Sequence, residues 1–249
     1  MCDICGCAGG TDHFHVADSI VRAETGKQIE VMRSILHHND HQAGHNRQHF
    51  EAARVLAVNL MSSPGAGKTG LLEATIRALR GRLTVAVIEG DLETENDAIR
   101  IRAAGAQAIQ ITTGSACHLD ANMVHAALHH IDLRPIDVLF IENVGNLVCP
   151  ACFDLGQHRN VVLLSVTEGD DKPEKYPVMF RAAELMVVTK LDLMDAVGDF
   201  DPAKAKRHLR NLASAAPVME LSARSGMGMD TWIEWLMHQR AARLKPVDA

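Results

Sequence analysis

The segment Met61-Ser62-Ser63-Pro64-Gly65-Ala66-Gly67-Lys68-Thr69 lies between an apolar run and the helical pattern Leu71 to Leu79, and no other feature of the chain constrains its fold as strongly. A strand feeding a turn of small residues that ends in Gly-Lys-Thr and opens a helix is the context of a phosphate loop. The small residues Gly65, Ala66 and Gly67 let backbone N–H groups converge on phosphate oxygens. The Lys68 ammonium meets the β- and γ-phosphates, the Thr69 hydroxyl holds Mg²⁺, and the helix N-terminus favours the anion. Ser62 stands where the general pattern has its first glycine. Ser63 stands where one subclass of ATPases carries an additional lysine, which argues against that subclass.

Apolar runs alternate with helical stretches through the rest of the chain. Arg54 to Met61, Leu83 to Glu89, Ala108 to Thr112, Val138 to Glu142, Val161 to Val166 and Leu185 to Thr189 read as buried strands with helices between most of them. This pattern predicts an α/β fold with a mostly parallel sheet flanked by helices and its chemistry at the C-terminal ends of the strands. The expected organisation is a flexible metal-binding arm over 1–27, an amphipathic helical segment over 28–53 and a P-loop GTPase domain over 54–249. The helical stripe is Ile29, Met32, Leu36 and Ala43, with Phe50 on a later turn. With 249 residues, 47% of them hydrophobic, the chain can build a full core. A net charge of -6 and no basic run argue against nucleic-acid or membrane-surface partners. The absence of a signal-peptide pattern or long apolar stretch leads to a cytoplasmic expectation.

Further elements fit the nucleotide. Ile88-Glu89-Gly90-Asp91 and Ile141-Glu142-Asn143-Val144-Gly145 close two strands. Asp91 and Glu142 are the expected partners of Thr69 at Mg²⁺, and the Gly145 amide is placed to meet the γ-phosphate. Thr189-Lys190-Leu191-Asp192 is a variant of the Asn-Lys-x-Asp guanine signature. The Asp192 carboxylate can accept N1–H and the 2-amino group of guanine while the Lys190 stem covers the ring. Downstream, Leu221-Ser222-Ala223 resembles the second base loop, with the Ala223 N–H facing guanine O6. Thr189 replaces an amide that normally ties the base loop to the phosphate loop, which weakens the match on which selectivity for GTP over ATP rests.

Two thiol-bearing sets point to metal. Cys2, Cys5 and Cys7 crowd the first seven residues, where copper(I), zinc and nickel are all acceptable partners. Cys117 and His118, with Cys149 just past Gly145, form a second set that leaves a position for water, Cys152 or another subunit. A ligand at Cys149 would move with a γ-phosphate switch. The histidines at 37, 38, 41, 45 and 49 include i, i+4 pairs, yet a solvated helix face explains them better than a ligand set does.

Together these residues resemble the HypB family, the GTPases that assist nickel insertion into [NiFe]-hydrogenase. The likeness rests on Cys2-x-x-Cys5-Gly6-Cys7, Asn59-Leu60-Met61-Ser62-Ser63-Pro64-Gly65, Cys117-His118-Leu119-Asp120, Glu142-Asn143-Val144-Gly145-Asn146-Leu147-Val148-Cys149-Pro150 and Thr167-Glu168-Gly169-Asp170-Asp171-Lys172-Pro173. Ser62 is usual in that family, whereas Ala116 and Thr189 depart from it. The resemblance implies a G domain of the SIMIBI class of P-loop NTPases and GTP hydrolysis to GDP and phosphate. It implies a nickel site at Cys2, Cys5 and Cys7, and a zinc or nickel site at Cys117, His118 and Cys149. It further implies a GTP-promoted homodimer, a HypA-like nickel chaperone as partner and a hydrogenase large-subunit precursor as recipient. A urease accessory GTPase would not be expected to carry the thiol-rich terminus. A small-molecule kinase would have no use for the guanine loops, and a nickel sensor or store would bind without meaningful hydrolysis.

Overall fold

The computed structural model describes residues 18–91, 93 and 95–244, with side chains described from residue 34 onward. Seven strands form one sheet: β1 (Leu56–Met61), β2 (Val85–Asp91), β3 (Gln107–Thr112), β4 (Val138–Glu142), β5 (Arg159–Ser165), β6 (Leu185–Thr189) and β7 (Val218–Glu220). The order is β3-β2-β4-β1-β5-β6-β7 and every pairing is parallel. Among the described residues the helices are α1 (Asp18–Ala52), α2 (Lys68–Leu79), α3 (Asn96–Ala104), α4 (Ala121–Leu128), α5 (Lys172–Lys175), α6 (Pro177–Ala182), α7 (Met194–Val197), α8 (Pro202–Asn211) and α9 (Met229–Leu244).

Six strands match the apolar runs in the sequence to within about two residues. The seventh is a three-residue edge strand, too short to leave a period in the chain. The first helix starts at Asp18, ahead of the expected Gln28. Arg22, Ala23, Glu24 and Lys27 favour helix in its first turns, against the interior glycine Gly26. The expectations for Cys2, Cys5 and Cys7 lie outside the described residues.

Alternate residues of the strands face opposite ways. Val58, Leu60, Val87, Phe140, Leu163 and Val187 join Leu71, Leu72 and Trp232 of α2 and α9 in one cluster. On the opposite face Ile88, Leu139 and Ile141 pack with Phe50 of α1 and Val124 of α4. Met61, Val162, Leu164 and Met186 pack with Phe180 of α6 and Leu209 of α8. Both faces are covered, which is why the strands read as unbroken apolar runs.

The α1 helix is seated by its asparagines. From residue 34 onward its buried positions are Asn39, Ala43, Asn46 and Phe50, a stripe at helical spacing. Asn39 accepts the Ala121 N–H at 2.9 Å and donates to the Asp154 carbonyl at 2.8 Å. Asn46 donates to the carbonyls of Ala121 at 2.8 Å and Leu155 at 3.2 Å. Arg47 grips the Asp154 carboxylate at 3.0 and 2.8 Å. Gly156, at φ 89°, lets the 154–157 turn approach, since a Cβ there would stand 2.6 Å from the Ala43 carbonyl oxygen.

Candidate functional site

The turn after β1 wraps the N-terminus of α2, whose N-cap Gly67 is left-handed at φ 100° and has no side chain to occupy the helix amides. Those amides therefore face the cradle and are available to an anion. Lys68 is buried, with Nζ donating to Ser62 Oγ at 3.0 Å. Burial pushes its pKa below the ordinary lysine value, and Glu142 pushes it back up. An ammonium this short of water gains most from a phosphate.

Thr69 Oγ1 donates to Glu142 Oε1 at 2.8 Å, joining the start of α2 to the end of β4. Glu142 is register-paired with both Leu60 of β1 and Glu89 of β2, so the parallel sheet sets the two carboxylates on one face. Glu89, Asp97 and Glu142 each place an oxygen within 4.8 Å of the others. Burial raises the pKa of Glu142 to about 7 and that of Glu89 to about 8, where the Glu142 charge adds to the effect. Glu89 Oε2 and Glu142 Oε2 are buried without a hydrogen-bond partner. Two orphaned carboxylate oxygens beside a threonine hydroxyl fit a hard divalent cation such as Mg²⁺. Asp91 closes β2 two residues on, and its carbonyl accepts the Thr113 N–H at 2.9 Å. Sequence reasoning named Asp91 and Glu142 and passed over Glu89 and Asp97. Glu89 looks like an ordinary strand residue until β2 is laid against β4, and Asp97 like a helix-start acid.

A cavity of about 460 Å³ opens beside the phosphate loop, lined by Gly67, Thr189, Lys190, Asp192, Ser222 and Ala223 among others. It brings the two predicted base loops together. Asp192 Oδ1 accepts from Ser222 Oγ at 2.5 Å, and the Leu191 N–H donates to the Leu221 carbonyl at 3.3 Å. The tie from base loop to phosphate loop is kept without an asparagine. Thr189 Oγ1 donates to the Ala66 carbonyl at 2.7 Å, and Lys190 Nζ donates to the Gly65 carbonyl at 2.6 Å. A hydroxyl on the buried strand end reaches the same loop an amide would reach.

The second predicted constellation also assembles. Cys117 and His118 stand in the loop between β3 and α4, and Cys149 opens a 3-10 turn after β4. Their donor atoms all lie within 4.8 Å of one another. His118 stacks on Phe153 at 3.9 Å between ring centres, and burial lowers its pKa against the opposing charge of Asp120, which favours the neutral ring that a metal binds. Cys152 is exposed and outside this group. Three donors with a fourth position open suit a tetrahedral or square-planar soft-accepting ion.

The constellation is joined to the nucleotide cradle at three points. Gly90 of β2 has no Cβ because Leu119 fills that space, 2.7 Å from where it would stand. Buried Asn143, next to Glu142, accepts the Leu119 N–H at 3.1 Å and the Val144 N–H at 3.0 Å through one oxygen. Its Nδ2 donates to Asn59 Oδ1 at 3.3 Å inside the sheet. Gly145 lies against the phosphate loop, where a Cβ would be 2.8 Å from Pro64 Cα.

Comparison with known proteins adds a lineage to this geometry. Residues 56–220 match the model of the CobW/HypB/UreG nucleotide-binding domain. The chain is 48% identical over 243 residues to the hydrogenase maturation factor HypB of Azotobacter vinelandii, covering 96% of this chain and 80% of that protein. It is 50% identical over 216 residues to HypB of Escherichia coli (strain K12), covering 87% and 74%. Among solved structures, Helicobacter pylori HypB in complex with nickel aligns with a TM-score of 0.79 at 37% identity, covering 85% of this chain and 99% of that one. The HypB structure from Archaeoglobus fulgidus gives 0.76 at 40% identity, covering 82% and 100%.

Proposed function

Because the chain belongs to the HypB family of hydrogenase maturation factors, within the CobW/HypB/UreG nucleotide-binding proteins, we propose that it is a GTP-hydrolysing nickel chaperone whose nucleotide state governs its hold on the metal. Nickel is cargo here, passed to a hydrogenase large-subunit precursor with a HypA-like chaperone as partner. The observation that supports the reading most is the Asn143 carboxamide, which stands between Glu142 and Gly145 and accepts the Leu119 N–H from the loop bearing Cys117 and His118.

GTP would seat its base on Asp192, Lys190 and Ala223, with Ser222 fixing the Asp192 carboxylate. Its phosphates would lie on the amides of Gly65, Ala66 and Gly67 and on Lys68. As water attacks in line, negative charge would shift over the phosphoryl oxygens, and these preorganised donors would stabilise it. Thr69, Glu142 and Asp91, joined by Glu89 and Asp97, would hold Mg²⁺, which would supply positive charge against the phosphates. The Gly145 amide would report the γ-phosphate. Its loss on hydrolysis would shift the 143–149 segment and with it Cys149, loosening the grip of Cys117, His118 and Cys149 on metal. Cys2, Cys5 and Cys7 would supply a second nickel site, and two protomers would pair in the GTP state.

The test measures nickel and zinc affinity of the wild type, a Cys2/Cys5/Cys7→Ser variant and a Cys117→Ser variant, each apo, with GDP and with a non-hydrolysable GTP analogue. The expected result is a site in the Cys2/Cys5/Cys7→Ser protein whose affinity differs between nucleotides by about 5-fold or more. A Cys117 site indifferent to nucleotide overturns the gating, and absence of GTP hydrolysis that depends on Lys68 overturns the enzyme.

A further inference from the structure

Helices α1 and α4 pack alongside each other on the face remote from α2, and three imidazoles meet at their junction. His49 comes from the last turn of α1, His125 from the last turn of α4 and His129 from its C-cap. The ring centres of His49 and His125 are 5.6 Å apart, and those of His125 and His129 are 4.8 Å apart. A cavity of about 360 Å³ opens beside them, floored by Leu128 and Ala53. His49 and His129 are exposed and His125 is half-buried.

We propose that His49, His125 and His129 form an imidazole site for one divalent transition-metal ion of the nickel and zinc class, separate from both thiolate sites. Two imidazoles on one ion, with metal–nitrogen bonds of about 2.1 Å, stand roughly 5 Å apart between ring centres. The observed separations bracket that value. Bringing three nitrogens onto one ion takes rotation of His49 and His129 about their side-chain bonds, which exposed rings make on a nanosecond scale.

The tautomer of His125 is set for ligation. Asn46 Nδ2 is committed as a donor to the carbonyls of Ala121 and Leu155, so its Oδ1 is the acceptor facing His125 Nδ1 at 3.1 Å. His125 must then carry its proton on Nδ1 and hold a lone pair on Nε2. A ring that donates its other N–H to a fixed oxygen is how metal-ligating histidines are held in place. The pair His41 and His45, 4.8 Å apart on α1, lacks this arrangement, with no described imidazole from a second helix stacked on it.

The experiment uses the full chain with Cys2, Cys5, Cys7 and Cys117 changed to Ser, which disables both thiolate sites. Calorimetric titration with Ni²⁺ should show one equivalent bound, and Cu²⁺ loaded in its place should give an electron-spin spectrum with nitrogen hyperfine structure. Adding His49→Gln, His125→Gln and His129→Gln should weaken Ni²⁺ binding more than about tenfold and erase the nitrogen pattern. Adding His37→Gln and His41→Gln instead should change neither. The single change His129→Gln, at an exposed cap, keeps the test valid should the triple variant lose its thermal transition; it should weaken binding several-fold. Unchanged Ni²⁺ affinity in the folded triple variant or in His129→Gln, or equal loss in the His37/His41 variant, overturns the site.

Discussion

His158 illustrates how far a single side chain can be committed to one charge state. Its Nδ1 accepts the Ala57 N–H at 2.9 Å at the edge of β1, and the ring is buried. Burial, with Arg243, Arg47 and Arg159 nearby, pushes its pKa down to about 3. Between about 3 and the ordinary 6.5 the unfolded chain binds this proton and the folded chain does not. The contribution of His158 is therefore complete above the unfolded value and is lost as pH falls through the folded one, at up to about 1.4 kcal/mol per pH unit. His158→Gln can still accept the Ala57 N–H but does not titrate. Denaturant unfolding from pH 7 to 4 should show the wild type losing stability relative to this variant as pH falls, and parallel curves would refute the assignment. Thr189 is equally exact in its bond to Ala66. Thr189→Val keeps the volume and strands a buried carbonyl, so it should cost about 1–3 kcal/mol of stability and weaken GTP binding, while Thr189→Asn should recover both. Glu89→Gln should raise the Mg²⁺ concentration needed for half-maximal GTP hydrolysis, measured by phosphate release, with little effect on GTP binding. Lys68, Thr69 and Asp192 were legible in the sequence because their motifs are contiguous. Glu89 and Asp97 were not, since only the pairing of β2 with β4 and the start of α3 bring them to Glu142.

At the scale of elements, α1 is the case where pattern reading met its limit. Its apolar stripe was visible at Leu36, Ala43 and Phe50, but the two polar residues that seat it, Asn39 and Asn46, look solvent-facing in a linear chain. Burial is affordable for them because their amides meet carbonyls and an N–H that secondary structure leaves free. Through Asn39 the helix touches both the start of α4 and the turn after the Cys149–Cys152 segment. Gly156→Ala tests this seat. The new methyl would meet backbone of α1 in a conformation alanine resists, costing about 1–3 kcal/mol. Limited proteolysis should then cut within α1 faster, with GTP binding unchanged. Equal cutting rates would mean that the helix is held by other contacts.

For the whole molecule, the parallel order places the C-terminal ends of β1, β2, β4 and β6 around one crevice. That much followed from apolar runs alternating with helices, and six of the seven strands were found for the same reason. Among the described residues, no helix is long and apolar enough to cross a membrane. What the linear chain withheld was the set of contacts that join the thiol-bearing loop to the cradle, because Gly90 against Leu119 and Asn143 against both Leu119 and Asn59 bring distant segments together. Linkage requires that if nucleotide alters metal affinity, metal alters nucleotide affinity by the same factor. Asn143→Ala should bring both factors toward one, read by GTP-analogue binding with and without Zn²⁺, and an undiminished factor would place the coupling elsewhere.

The bond from Leu119 to Asn143 has a spectroscopic consequence. One backbone proton spans the gap between the loop bearing Cys117 and the strand that ends beside the phosphate loop, so its exchange with solvent deuterium would report any movement of one against the other. In a protein of this size that proton is a single, assignable nuclear-resonance line, and its lifetime would read the latch directly in each nucleotide state without any label being added.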